Sequence, residues 1–135
     1  MQKLICMAFS TMLLMGAAVA DDYPIGPVTV IVPLAPGGVA DLVGRTISGP
    51  MQKVLGKPVL IENRPGAGGA TGASGVSRST PDGQTLLLAL SPVLALPEMD
   101  RLNGQRPSYE LSDLVPLARL TADPFCGSGA AGLAV

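Results

Sequence analysis

Histidine is absent from all 135 residues. That removes histidine-based nucleophilic triads, most zinc sites and imidazole acid–base catalysis. Charge is scarce as well: 14% of residues are charged and the net charge is −1. Such a chain has neither the basic footprint of a nucleic-acid binder nor the composition of a solvated disordered tail. No two of the ten acidic residues stand where an acid and a base would be wanted, so they read as caps, turn formers and surface charges. A Gly-x-Ser-x-Gly elbow is missing too. Ser74 and Ser128 have glycine neighbours but read as packing or loop residues. No metal and no cofactor is expected.

Nucleotide loops are excluded by detail. No Gly-x-x-x-x-Gly-Lys-Ser/Thr occurs, and Gly66-x-Gly68 would need glycine at 71, where Thr71 stands with Gly72 one place later. The apolar N-terminal run, residues 4–15, falls short of the ~20 apolar residues that a spanning helix needs. With Lys3 before it and Ala18-Val19-Ala20 after it, the run reads as a secretory signal peptide cleaved after Ala20. The mature chain then keeps one cysteine, Cys126, which cannot form an internal disulfide. Export implies a periplasmic location.

What is present is globular: 47% apolar residues, with 17 Gly and 13 Pro falling between apolar runs as loop punctuation. The length suits one domain of roughly 100–150 residues. Pro27 and Pro33 bound the β-branched run Val28-Thr29-Val30-Ile31-Val32, which reads as a strand buried on both faces of a parallel sheet. Val43, Ile47, Met51, Val54 and Leu55 then recur on one face of a helix. Gly49-Pro50 should kink this helix, and Gly56 supplies its left-handed C-cap. A second strand covers residues 59–62, small residues 70–79 form a second helix, and residues 84–90 form a third buried strand after the turn at Pro81-Asp82-Gly83. The order β-α-β-α-β predicts an α/β fold with a parallel sheet between flanking helices. Residues 91–106 show no clear period. Residues 114–121 suggest a further strand broken by Pro116, and the Gly/Ala-rich residues 126–135 suggest no element.

Two glycine-rich loops follow strands and precede helices on the carboxyl edge of that sheet. Helix N-termini there offer unpaired backbone N–H groups and positive partial charge, which suit an anion such as a carboxylate. The structural alternatives are a tight turn at Gly37 and Gly38, a helix first-turn acid at Asp41, and close helix–sheet approach at Gly66, Ala67, Gly68 and Gly69.

These loops carry a family resemblance. Tyr23-Pro24, then Val28-Thr29-Val30-Ile31-Val32-Pro33-Leu34-Ala35-Pro36-Gly37-Gly38 with Asp41, resembles the opening of Bug/TctC solute-binding proteins. Leu55-Gly56-Lys57-Pro58-Val59, Glu62-Asn63-Arg64-Pro65-Gly66-Ala67-Gly68-Gly69, Thr80-Pro81-Asp82-Gly83-Gln84-Thr85-Leu86-Leu87 and Ser108-Tyr109-Glu110-Leu111-Ser112-Asp113-Leu114-Val115-Pro116 are similar to later segments of the pattern, in order. The resemblance implies a two-lobed periplasmic receptor that closes on a small carboxylate and delivers it to the membrane subunits of a tripartite tricarboxylate transporter. It implies no enzymatic activity and no nucleic-acid partner. By the same resemblance Ala35, Pro36, Gly37, Gly38 and Asp41 belong to this half of the site, with Gly66, Ala67, Gly68 and Gly69 as further candidates.

The resemblance ends near Phe125. Expected organisation is therefore a signal peptide at 1–20, a partial first lobe at 21–125 and an atypical tail at 126–135, as a frameshift or truncation would leave. Such a fragment is expected to expose an unpaired apolar sheet edge, to unfold without cooperativity and to bind no transport substrate. Rival readings are an exported enzyme with a Gly-rich anion loop and a secreted interaction module without small-molecule affinity.

Overall fold

The computed structural model describes residues 23–121 and 131–134. The expected leader with its cleavage point, and Cys126, lie outside the described residues. Strand β1 (Val28–Val32) leads to helix α1 (Val39–Leu55), β2 (Val59–Asn63), a 3-10 turn (Ala67–Gly69), α2 (Ala70–Ser77), β3 (Thr85–Leu90), α3 (Ser91–Leu102), a second 3-10 turn (Leu111–Asp113), β4 (Pro116–Arg119) and β5 (Ala131–Ala134). One sheet holds all five strands in the order β2-β1-β3-β5-β4. The first three are mutually parallel, and β5 runs antiparallel to both of its neighbours.

The buried β1 run explains the layering. Val28, Val30 and Val32 point to one face, where they pack with Leu86, Leu88 and Val59 against Ala40 of α1. Ile31, Leu87 and Ala89 point to the other, against Ala73 and Val76 of α2 and Val93 of α3. From β1 the chain moves outward to β2, then back past β1 to β3. Crossovers of one hand in opposite directions put their helices on opposite faces. The expected α/β sandwich is thus the observed one.

Helix α1 runs unbroken through Pro50, which lies on its exposed side. Its left-handed cap is Gly56, with φ 65°. Val43, Ile47, Met51 and Leu55 are half-buried as expected, but Val54 is 86% exposed because the contact face is centred on Ala40 and Gly44. Four expectations need correction. The stretch after β3 is helix α3, carrying Pro92 in its first turn, where the missing N–H costs nothing. Pro116 opens β4 instead of breaking it, since the first residue of a strand tolerates proline. The tail supplies β5. Consequently the apolar edge of β3 is paired, and the outer strands are β2 and the fully exposed β4.

Candidate functional site

The two glycine-rich loops leave the carboxyl ends of the neighbouring parallel strands β1 and β2, and α3 starts directly at the carboxyl end of β3. Three helix N-termini thus open on one edge. Ser91, at the start of α3, belongs to this edge and was missed in the sequence. The signal available was a serine followed by proline after a buried strand.

In the first loop Ala35, Pro36, Gly37 and Gly38 are all exposed. Gly37 takes φ 82°, a conformation natural to glycine, and has open space where a side chain would stand. Gly38 is the N-cap of the 17-residue α1, and no side chain caps it. The positive end of that helix is therefore presented at the sheet edge.

Asp41 lies in the first turn of α1 and is 2% exposed. Its Oδ2 accepts hydrogen bonds from Gly37 N and from Arg45 Nε, both at 2.9 Å. The Arg45 hydrogen bond, followed by that from Gly37, lowers its pKa from the usual 3.8 to about 2 against the opposing effect of burial. The carboxylate is ionised at neutral pH and holds the loop in shape. Oδ1 is buried with no hydrogen-bond partner among the described residues.

The second loop has a different character. Gly66, Ala67, Gly68 and Gly69 all have positive φ, including Ala67 at 46°, a rare conformation for a residue with a side chain. The loop bonds to itself: Gly69 N donates to Gly66 O at 2.8 Å. Gly66, Ala67 and Gly68 are exposed, whereas Gly69 is buried where a Cβ would come within 2.8 Å of Val93 and 3.3 Å of the Pro33 carbonyl. Gly72 repeats this tightness, with Pro33 Cβ at 2.8 Å and Arg64 O at 2.9 Å from its ideal Cβ. The bases of the loops are thus brought together, the more so as Asn63 Nδ2 donates to Leu34 O at 3.2 Å.

The arginines on these elements are engaged. Arg45 pairs with Asp41, and Arg64 makes two bonds to Glu62, at 2.7 and 3.1 Å. Backbone dipoles, rather than unpaired side-chain charge, are what the first loop offers an anion. Among the described residues no cluster of three or more His, Cys, Asp or Glu side chains exists that could hold a metal ion.

Comparison with known proteins agrees with the α/β fold. Residues 43–126 match the family model of the tripartite tricarboxylate transporter family receptor. BugT of Bordetella pertussis (strain Tohama I) is 40% identical over 106 residues, which are 78% of this chain and 32% of that protein. A UPF0065 protein of Agrobacterium vitis is 48% identical over 79 residues, 58% of this chain and 23% of its own. Among solved structures, MatC of Rhodopseudomonas palustris with bound malate superimposes with a TM-score of 0.65 at 38% identity, covering 73% of this chain and 33% of MatC. A TctC solute-binding protein from Polaromonas gives 0.66 at 33% identity, covering 76% and 34%. The chain spans about a third or less of the length of these proteins.

Proposed function

Because this chain belongs to the tripartite tricarboxylate transporter receptor family, we propose that from residue 21 onward, with the tail strand β5 included, it forms the first-lobe part of a periplasmic receptor for a small carboxylate. That receptor hands its ligand to the membrane subunits of a tripartite transporter. Family members are solute-binding receptors, and this reading includes no catalytic step. The observation that carries the proposal is the uncapped N-terminus of α1 behind the exposed Pro36-Gly37-Gly38 loop. Malate bound in the similar MatC supports a carboxylate as the ligand class. The rim of the loop supports a second lobe facing it: Val39 and Leu42, at 68% and 58% exposure, are apolar residues that a closing surface would cover.

Gly38 allows a clean test. Its φ of −76° suits any residue, and a Cβ there would meet only Ala35 O, at 3.4 Å. In a full-length form carrying both lobes, Gly38→Val should leave the melting temperature nearly unchanged and weaken malate binding by ~1–3 kcal/mol, through lost access to the backbone donors. Unchanged affinity by calorimetry would reduce the loop to a structural turn.

Export is part of the same proposal. The product recovered from the periplasm should begin at Asp21. An intact mass that retains residues 1–20 would exclude cleavage after Ala20.

A further inference from the structure

The first loop is shaped from two directions, and only one of them lies in α1. Asp41 Oδ2 holds Gly37 N from within the helix. From β2, the Asn63 amide reaches Leu34 O at 3.2 Å, across a register that sets Asn63 beside Val32. A primary amide has two N–H hydrogens, and the Leu34 carbonyl uses one. The Asp41 carboxylate is an acceptor with one satisfied oxygen and one buried, unpartnered oxygen, Oδ1. Asn63 is among the groups that lower the Asp41 pKa, after Arg45 and Gly37, so the second N–H of its amide and the unpartnered Oδ1 stand at the same loop. Asn63 is half-buried, and its charged neighbours Glu62 and Arg64 are paired with each other.

We propose that Asn63 is a positioning residue of the anion half-site: its amide clamps the Leu34 carbonyl and the Asp41 carboxylate together, and so sets the Gly37 amide from the neighbouring strand. The role rests on reading the first loop as that half-site. Asn63 itself need not touch the anion. A residue on β2 thereby couples the shape of one loop to the strand that begins the other.

The test uses the full chain without ligand. Carbon-detected NMR follows the Asp41 carboxyl through acid pH, and amide exchange follows Gly37. Asn63→Ala should raise the Asp41 midpoint by about half a unit or more, because a donor to the charged form is lost. It should also speed Gly37 exchange about tenfold, because the loop opens more often. Asn63→Asp should raise the midpoint further, since a second carboxylate disfavours the ionised form. A purely structural Asn63 would lower the melting temperature while leaving both readouts in place, and that result overturns the proposal. If Asn63→Ala does not fold, Asn63→Ser carries the same readouts; failure of both to fold would make Asn63 a determinant of the fold and also overturn it. No ligand enters either measurement, so a failure of malate binding in a full-length form leaves this result untouched.

Discussion

The chain should unfold cooperatively, contrary to the expectation from sequence, because β5 pairs the edge of β3, and deleting residues 126–135 should abolish that cooperativity. β5 lies between β3 and β4: Leu87, Leu88, Ala89 and Leu90 face Ala134, Leu133, Gly132 and Ala131, and on the other side Pro116, Ala118 and Arg119 face Ala134, Leu133 and Gly132. Without it β4 has no strand to pair with, and the backbone of β3 loses a partner beside side chains that are fully buried at Leu87 and Leu88. At ~0.5–1.5 kcal/mol per backbone hydrogen bond, loss of roughly six bonds, an order-of-magnitude figure for two short ladders, costs on the order of 3–9 kcal/mol. That matches the total stability of an ordinary domain, roughly 5–15 kcal/mol. Leu133→Pro should act in the same direction with smaller size, because it removes one donor from the middle of the ladder. Thermal melts by circular dichroism decide the matter. A truncated chain that melts cooperatively within a few degrees of the parent would show that β5 contributes little.

The second large effect is expected at Gly72. A Cβ there would lie 2.8 Å from Pro33 Cβ and 2.9 Å from both Pro33 Cα and the Arg64 carbonyl. Those obstacles are backbone and a proline ring, neither of which can rotate away. Gly72→Ala should cost about 3 kcal/mol, at the upper end of overpacking penalties, and Gly72→Val more. Gly75, one turn on in the same helix, is the control. Its Cβ would meet only the Arg64 guanidinium, at 3.5 Å, so Gly75→Ala should be neutral or stabilising by up to ~1 kcal/mol. Denaturant titrations that place the two alanine variants at equal stability would contradict the close-approach account of α2.

Sequence patterning made most of this fold readable, α3 and β5 excepted. β1 announces itself because a β-branched run between prolines has few alternatives to a buried strand, and α1 because Gly56 ends a periodic pattern. α3 stayed hidden because it buries only Val93 and Pro97, and Pro97 lies inside it. β5 was unreadable for a different reason: Ala-Gly-Leu-Ala has little strand propensity of its own, and tertiary pairing with β3 and β4 makes it a strand. The site divides in the same way. Gly37 and Gly38 could be placed from strand–loop–helix order alone. The parts played by Asn63 and Gly72 could not, because they depend on the register of β2 against β1 and on how closely α2 approaches Pro33. Arg45, four residues after Asp41, was within reach of the helical pairing rule. Of the second-loop candidates, Gly69 has a packing role that accounts for it, while Gly66, Ala67 and Gly68 stand exposed at the edge.

The central claim is that the uncapped start of α1 holds one end of a small carboxylate once a second lobe closes over it. A crystal structure of a full-length form with malate tests this most directly. The account predicts a malate carboxylate within normal hydrogen-bond distance of backbone N–H groups at the Gly38 end of α1, with Gly37 still bonded to Asp41. Malate bound elsewhere, with the Pro36-Gly37-Gly38 loop facing only solvent, would contradict it.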